Sequence, residues 1–357
     1  MSTSGSRIDQ LAKRFRDGDE GALAKAITIV ERGGSPARAF LAAIRDRAGH
    51  AQVCGITGPP GTGKSSLTLE LSIAIRQSGR RVAVLAIDPS SPFTGGALLG
   101  DRVRMGAVAA DEGVYIRSLA TRGSHGALSR ASRPVIRVLE AFGFDVVILE
   151  TVGAGQSEVA VMRQVHSVVV VGVPGLGDGV QAMKAGLMEI GDIFVVNKAD
   201  LPEADRTAAE ISALLDLSHM GHPGINLWQD KEAAHADRSV SDFRIARFGS
   251  TQPGSVSWRP PVVKTSAVKV EGIGNLLSYL YSHGDFLRRI GGWEERRRLD
   301  ARHALADSLA AAATERLLDV ADRAEQLNSL IEAISTGEED PDSAAEYVLS
   351  LGMCKTE

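Results

Sequence analysis

The sequence predicts a doubly wound α/β fold with a mainly parallel sheet, preceded by a helical extension and followed by a helical arm. Three observations predict it: helical periodicity before residue 50, short apolar β-branched runs alternating with helical stretches from residue 51, and renewed helical periodicity after residue 286. Apolar strands bounded by turn residues are typical of a sheet covered on both faces. We expect domains at residues 1–49, 50–284 and 285–357.

Composition excludes several classes of protein. The 357 residues are 44% hydrophobic and 24% charged, which is globular rather than disordered or fibrous composition. A net charge of -4 predicts neither a nucleic-acid face nor a polybasic membrane anchor, and no apolar run reaches the roughly 18 residues of a membrane span. The two cysteines, Cys54 and Cys354, form no Cys-x-x-Cys pair, so we expect a protein of the reducing cytoplasm.

Two helices are predicted in the extension at residues 1–49. Asp19 is a candidate N-cap for the first, and Ser35 with Pro36 is a candidate N-cap followed by proline at the first helical position of the second. Apolar residues follow the first cap at helical spacing, at Leu23, Ile27 and Val30.

Six apolar runs predict the strands of the sheet. They lie at 51–57, 81–88, 146–150, 168–173, 193–197 and 262–266. Residues 219–258 contain His, Gly, Pro, Ser and Trp without an assignable pattern.

A heptad seam is predicted near the end of the chain. Its apolar positions alternate in spacing between three and four and end near Gly337, at Ala310, Ala313, Leu317, Val320, Ala324, Leu327, Ile331 and Ile334. This spacing favours a helical arm that packs on a second copy of the chain, with a helix lying on its own domain as the alternative.

A phosphate-binding loop follows the first predicted strand. Residues 58–65 read Gly-Pro-Pro-Gly-Thr-Gly-Lys-Ser and lead into a helical stretch. Such a loop points backbone N–H groups at phosphate oxygens, Lys64 would reach the β- and γ-phosphates, and the Ser65 hydroxyl would bind Mg²⁺. A plain glycine-rich turn is the alternative. The predicted nucleotide contacts here are Gly58, Pro60, Gly61, Thr62, Gly63, Lys64, Ser65 and Ser66.

A second motif predicts which nucleotide base the site selects. Asn-Lys-Ala-Asp at 197–200 ends a predicted strand, where ligands bind in open α/β sheets. The Asp200 carboxylate would accept from N1–H and the amine of guanine, whereas adenine has no N1 donor, so the motif predicts GTP rather than ATP. Asn197 would serve the other edge of the base, the Lys198 stem would lie over the ring, and the backbone of Ser266 and Ala267 would donate to the guanine oxygen.

Acidic residues at strand ends predict the metal and the hydrolytic group. Asp88 is a candidate for the outer shell of Mg²⁺, and Glu150 for orienting the attacking water, with helix N-capping as the alternative for both. The Gly-, Ser- and Pro-rich stretch 88–102 predicts a switch loop with Asp101 facing the metal. Residues 153–156 predict a second switch, in which the Gly153 N–H contacts the γ-phosphate.

Residues 55–200 resemble the MeaB/ArgK-type P-loop GTPases, the metallochaperone G proteins of adenosylcobalamin-dependent acyl-CoA mutases such as methylmalonyl-CoA mutase. The resemblance rests on the loop at 58–65, Ala-Ile-Asp-Pro-Ser-Ser-Pro at 86–92, Thr-Gly-Gly-Ala-Leu-Leu-Gly-Asp-Arg at 94–102, Glu-Thr-Val-Gly-Ala-Gly-Gln-Ser-Glu at 150–158, and Asn-Lys-Ala-Asp. The helical flanks also match the family, whose C-terminal arm forms a homodimer.

The resemblance implies a GTPase that gates adenosylcobalamin transfer from an adenosyltransferase into the mutase, protects the mutase and helps remove damaged cofactor. It implies GTP or GDP and Mg²⁺ as ligands, with no tightly bound cobalamin of its own. The residues that match the family's metal and hydrolytic positions are Lys64, Ser65, Asp88, Asp101 and Glu150.

The family's third switch, which responds to the mutase, matches residues 174–186. The family usually follows the aspartate with glutamate, whereas this chain has Gly179, so Asp178 and Lys184 are the charged contacts in the segment. This departure leaves the partner open between methylmalonyl-CoA, isobutyryl-CoA and 2-hydroxyisobutyryl-CoA mutases.

Other functions fit the sequence less well. A nickel-insertion GTPase of hydrogenase or urease maturation shares the switch logic but needs Cys and His ligands, and only His219 and His222 are closely spaced. The chain lacks the His-Arg-Asp motif of protein kinases. It also lacks the Gly-x-Gly-x-x-Gly motif of dinucleotide-binding oxidoreductases. A scaffold that binds GTP without hydrolysing it stays open.

Overall fold

The fold is known from a computed structural model that describes residues 3–88, 111–120, 125–151, 164–175, 188–219, 257–323 and 326–353. Its strands are β1 (Gln52–Thr57), β2 (Val82–Asp88), β3 (Val114–Ala120), β4 (Val146–Thr151), β5 (Ser167–Gly172), β6 (Ile193–Val196) and β7 (Val262–Lys264). They form one seven-stranded sheet in the order β3-β2-β4-β1-β5-β6-β7. Each neighbouring pair is parallel, which confirms the predicted fold class.

The helices flank this sheet or follow it. They are α1 (Thr3–Arg16), α2 (Glu20–Arg32), α3 (Gly34–Ala43), α4 (Lys64–Gln77), α5 (His125–Phe142), α6 (Ala204–His219), α7 (Ile273–Arg289), α8 (Gly292–Arg323), α9 (Leu327–Thr336) and α10 (Pro341–Met353). Within the residues that the structure describes, no helix combines the length and apolar character needed to cross a bilayer.

Strand β3 was missed by the sequence prediction. It is the edge strand beyond β2, and its alternate residues Tyr115 and Arg117 are only half-buried. Arg117 forms an ion pair with Glu31 of α2 at 2.7 Å. An edge strand with polar residues lacks the continuous apolar run that marks the central strands, so it escaped detection.

Alternation along the strands divides the core between the two faces of the sheet. Val53 and Val147 face a cluster that includes Leu23 and Ile27 of α2. Ile56 and Ile148 face a second cluster with α4 and α7. Because successive side chains of a strand point to opposite faces, strands of this kind need helices on both sides.

The N-terminal extension is helical, but one of its caps differs from the prediction. The Asp19 carboxylate accepts from the Ala22 N–H at 3.0 Å and caps α2 as expected. The Ser35–Pro36 cap is wrong, because α3 begins at Gly34 with Gly33 as its N-cap. Pro36 still lies in the first turn, where its missing N–H costs no intrahelical bond.

Residues 1–298 and 299–357 form two compact units. The first unit contains the sheet together with α1 to α3. Helix α7 continues through the predicted boundary at residue 284, and the domain limits given above stay predictions.

The predicted heptad seam is divided between two helices. Helix α8 ends at Arg323, α9 begins at Leu327, and the Gln326 N–H bonds to the Ala321 carbonyl five residues back, which departs from the α-helical pattern. A continuous seam to Gly337 is therefore wrong, although Gly337 does end α9 as its C-cap.

Candidate nucleotide-binding site

The phosphate loop lies between β1 and the first residue of α4. At Gly58, with φ 146°, a Cβ atom would lie 2.1 Å from the Val171 carbonyl oxygen of β5. At Gly63, with φ 83°, it would lie 2.6 Å from the Asn197 side-chain nitrogen. Glycine at both positions lets the loop approach β5 and the base-selecting motif closely.

Lys64 is held inside this loop. Only 6% of the residue is exposed, and its ammonium donates to the carbonyls of Gly58 at 2.8 Å and Pro59 at 3.0 Å. The Thr62 hydroxyl donates to the same Pro59 carbonyl at 2.9 Å. The positive charge is thus enclosed by the loop at the N-terminus of α4, where anions are favoured.

Ser65 and Glu150 meet at the end of the loop. The Ser65 hydroxyl donates to a Glu150 carboxylate oxygen at 2.5 Å, and Glu150 is 4% exposed on β4. Across the described part of the chain, no group of three His, Cys, Asp or Glu side chains is close enough to hold a metal ion. The Ser65 hydroxyl would hold a magnesium ion together with phosphate oxygens of a nucleotide, and the hydroxyl–carboxylate pair fits such an ion.

The structure describes the remaining predicted metal and switch residues only in part or not at all. Asp88 is the last residue of β2, which pairs with β4, and the structure does not describe its side chain. Asp101, Gly153, Asp178 and Lys184 lie outside the described residues, so their roles stay predictions.

A cavity of about 150 Å³ opens beside the loop at the ends of β6 and β7. Its lining contains the predicted base contacts and is formed by Gly63, Ser66, Asn197, Lys198, Asp200, Leu201, Ser266, Ala267 and Val268. Residues more than 60 positions apart in sequence thereby share one concave site.

Asn197 connects the walls of this cavity. Its side-chain amide donates to the Thr62 carbonyl at 2.8 Å, and its side-chain oxygen accepts from the Thr265 hydroxyl at 3.1 Å and the Ala267 N–H at 3.3 Å. The side chain is buried, so these bonds also satisfy groups that would be costly to leave unpaired. Asn197 therefore ties the phosphate loop to the segment after β7, a positioning role that the sequence did not predict.

Asp200 presents a charged acceptor to the cavity. The Ser266 hydroxyl donates to its carboxylate at 2.6 Å, and this bond is the main reason that the pKa of Asp200 lies below its usual range. Between Asn197 and Asp200 the chain turns at Lys198, which has a left-handed φ of 57°. Such a conformation costs a non-glycine residue about 1–2 kcal/mol, and strain of this kind is common at functional sites.

The sequence did not predict two lining residues, Leu201 and Val268, or the supporting residue Thr265. Thr265 stands directly before the predicted pair, but its hydroxyl was given no role. Leu201 and Val268 are 47% and 88% exposed at the cavity and had no distinguishing pattern. Single exposed apolar side chains are ordinary, so only their place beside the cavity singles them out.

Comparison with known proteins gives consistent results. The family model described as "Methylmalonyl Co-A mutase-associated GTPase MeaB" matches residues 23–325. A putative GTPase of Pyrococcus abyssi is 42% identical over 342 residues, covering 96% of each chain. GTPase ArgK of Escherichia coli is 42% identical over 299 residues, covering 77% of this chain and 87% of its own.

A less similar relative and a solved structure also match the chain. The mitochondrial methylmalonic aciduria type A homolog of Caenorhabditis elegans is 33% identical over 305 residues, covering 81% of this chain and 69% of its own. A crystal structure of a protein named LAO/AO transport system kinase matches with a TM-score of 0.64 and 24% identity, covering 98% of each chain. The likeness to that structure is one of fold.

Proposed function

The chain belongs to the family of methylmalonyl-CoA mutase-associated GTPases MeaB, and from that premise we propose that it is a GTP-hydrolysing chaperone of an adenosylcobalamin-dependent acyl-CoA mutase. In this role it gates delivery of adenosylcobalamin to the mutase and protects or reactivates the mutase. The observation that carries the proposal is the single cavity in which Asn197, Asp200 and Ser266 meet the phosphate loop.

Guanine is selected by the Asp200 carboxylate. Held ionised by the Ser266 hydroxyl, it accepts from N1–H and from the exocyclic amine of the base. Adenine carries a lone pair at N1, so ATP would leave two acceptors facing each other in a confined site. The Ala267 N–H lies beside the same cavity and would donate to the guanine oxygen by exchanging its 3.3 Å bond to the Asn197 side chain. The Ser266 N–H is not available for this contact, because it donates to the Glu271 carbonyl at 3.0 Å.

Hydrolysis is assigned to the opposite end of the nucleotide. Lys64 stabilises negative charge on the β- and γ-phosphates, and Glu150 orients a water for attack on the γ-phosphorus. The bond to the bridging oxygen breaks, and GDP and phosphate leave. Ser65 would hold Mg²⁺, with Asp88 in its outer shell and Asp101 facing the ion from the switch loop, and the bound ion would neutralise charge on the phosphate oxygens. The Gly153 N–H contacts the γ-phosphate.

The partner acts through residues 174–186. Asp178 and Lys184 order toward the nucleotide when the mutase binds, and Gly179 makes this ordering more costly than the glutamate usual in the family. The partner is a methylmalonyl-CoA, isobutyryl-CoA or 2-hydroxyisobutyryl-CoA mutase, and an adenosyltransferase supplies the cobalamin. The chain holds no tightly bound cobalamin of its own.

The C-terminal unit joins two copies of the chain. Support comes from its exposed apolar side chains, which are Leu305, Leu309, Leu318, Ile331, Tyr347 and Leu349. Leu305 and Leu309 are one helical turn apart and precede the predicted seam, so the interface begins earlier on α8 than the sequence pattern indicates.

The test is GTP turnover with and without each candidate mutase, for the wild type, Lys184→Ala and Gly179→Glu. We expect a low basal rate that rises with the cognate mutase, loss of that rise in Lys184→Ala, and a basal rate within a few-fold of wild type. Equal stimulation of all three proteins would contradict a role for residues 174–186. A non-hydrolysing scaffold would retain GTP in a single-turnover assay even with the mutase present.

A further inference from the structure

A buried polar cluster lies at the amino-terminal edge of the sheet, opposite the phosphate loop. Its central members are Asp192, His283 and Arg296, which are 0%, 0% and 5% exposed. They come from the residue before β6, from α7 and from the second turn of α8. None of the functional assignments above uses them.

Asp192 fixes the start of β6 against β5. Its carboxylate accepts from the Val168 N–H at 2.7 Å, and its own N–H donates to the Val168 carbonyl at 2.8 Å. Its carbonyl accepts from the indole of Trp258 at 2.8 Å. Two of these hydrogen bonds set the register of β6 against β5, and the third ties the start of β6 to the segment before β7.

Arg296 is the cation of this cluster. Its guanidinium lies 3.4 Å from the Asp192 carboxylate and donates to the Val165 carbonyl at 3.4 Å. His283 lies 3.6 Å from the same carboxylate oxygen, with its other ring nitrogen 2.8 Å from the Ser167 hydroxyl. Arginine stays protonated at any physiological pH, so it is the fixed countercharge for a carboxylate that burial would otherwise disfavour.

The start of α8 is anchored at this edge by a second contact. Trp293, one turn before Arg296, stacks on the His166 ring with centroids 3.7 Å apart. The His166 ring accepts from the Val53 N–H at 2.9 Å, and burial lowers the pKa of this histidine well below its usual range. A neutral His166 adds no charge to this cluster.

A short strand connects this cluster to the base pocket. Strand β6 has four residues, with Asp192 directly before it and Asn197 directly after it. Those two residues are about 17 Å apart along an extended chain. The same β5–β6 register continues to the far end, where the Asn197 N–H donates to the Gly172 carbonyl at 2.8 Å. The register that Asp192 sets is therefore the one in which Asn197 and Asp200 are presented.

We propose that Arg296 is a positioning residue of the guanine pocket, because it neutralises Asp192 and so holds β6 in the register that presents Asn197 and Asp200. The inference rests on the guanine-selective site proposed above. It makes the first turns of α8 part of the nucleotide-binding unit.

The experiment compares full-length wild type with Arg296→Met, Arg296→Lys and the double variant Asp192→Asn/Arg296→Met. Arg298→Met is the matched control, because the Arg298 side chain is 80% exposed on the same helix. Dissociation constants are measured for GDP and for IDP, whose base lacks the amine that Asp200 accepts from. Thermal unfolding is recorded in parallel, and binding is measured well below the midpoint.

Arg296→Met should weaken GDP binding by about tenfold and bring the GDP and IDP affinities closer together, because a buried uncompensated charge displaces β6. Arg296→Lys should fall between the wild type and Arg296→Met. The double variant, in which both members of the Asp192–Arg296 ion pair are replaced by neutral side chains, should return to within about threefold of wild type, and Arg298→Met should match wild type.

If Arg296→Met folds and keeps both the GDP affinity and the GDP/IDP affinity ratio of the wild type, the inference is overturned. If Arg296→Met does not fold, the double variant decides: recovery of GDP binding supports charge neutralisation, and a folded double variant with weak GDP binding contradicts it. A wild type that does not distinguish GDP from IDP would contradict the guanine assignment itself, independently of Arg296.

Discussion

The two edges of the sheet use the same kinds of residue in opposite ways. At the carboxyl edge, Asp200 is exposed beside a cavity and shares its carboxylate with one protein hydroxyl. At the amino edge, Asp192 is fully buried and its carboxylate faces a backbone N–H, an arginine and a histidine. A carboxylate with open space in front of it is available to a ligand, whereas an enclosed one serves the fold.

The two carboxylates also differ in how much their replacement should destabilise the fold. Removing one partner of a buried ion pair costs about 3–5 kcal/mol, because the remaining charge cannot reach water. Removing an exposed carboxylate costs the fold little. Substitutions at the carboxyl edge should therefore change binding or turnover, and substitutions at the amino edge should also change stability.

Replacing Asp200 should give the largest effect at the carboxyl edge. Asp200→Asn should weaken GTP by about 2–4 kcal/mol, or roughly 30- to 1,000-fold, because an amide cannot accept from both guanine donors. Xanthosine triphosphate, which has a carbonyl in place of the amine, should gain affinity. Calorimetric titration of both nucleotides measures this, with the exposed Asp285→Asn of α7 as control. Unchanged GTP affinity would remove Asp200 from the base site.

Replacing Glu150, also at the carboxyl edge, should lower GTP turnover without lowering nucleotide affinity. Glu150→Gln keeps a hydrogen-bond acceptor for the Ser65 hydroxyl but removes the charge that orients water, so GTP turnover should fall about 10- to 100-fold while GDP affinity holds. Lys64→Ala should damage both quantities. Normal hydrolysis by Glu150→Gln would mean that another group positions the water, with Asp101 the first to examine.

Replacing the exposed leucines of α8 should change assembly without touching either edge. Leu305→Glu with Leu309→Glu should halve the mass in solution measured by light scattering and leave GTP binding intact. The exposed Arg302→Glu is the control. Truncation at Gly284, which the sequence suggests, would also remove Arg296, so a cut after Arg298 is the cleaner deletion. A double variant that stays dimeric would place the interface elsewhere.

The smallest expected effect is on the pH dependence of the base site. Because the Ser266 hydroxyl lowers the pKa of Asp200, the carboxylate becomes protonated at a lower pH than an ordinary aspartate does. GDP affinity from this contact is therefore complete at neutral pH and declines as pH falls through the lowered pKa of Asp200. In Ser266→Ala the pKa should rise and the decline should begin at higher pH. Identical pH profiles would show that Ser266 does not set the charge of Asp200.

Local motifs explain what the sequence could predict. The loop at residues 58–65 and the Asn-Lys-Ala-Asp motif have fixed spacings with a chemical reason, and the structure places both at one cavity. The central strands were found because each is a continuous apolar run. The sheet order does not follow from such runs, because it depends on which strands pair across the fold.

Other features leave no local trace. Asp192 and Arg296 are 104 positions apart, and neither stands in a motif, so only the fold brings them together. The break between α8 and α9 interrupts a regular heptad pattern, and the spacing of that pattern does not predict it. The hydroxyl of Thr265 supports Asn197 across 68 positions for the same reason.

The most direct test of the division between the two edges measures two quantities in two variants. Single-turnover hydrolysis at saturating GTP and the dissociation constant of GDP are determined for Glu150→Gln and Arg296→Met beside the wild type. The account predicts that Glu150→Gln slows hydrolysis and keeps GDP affinity, whereas Arg296→Met weakens GDP and hydrolyses bound GTP within about twofold of the wild-type rate. Loss of GDP affinity in Glu150→Gln, or wild-type GDP affinity in a folded Arg296→Met, would contradict the account.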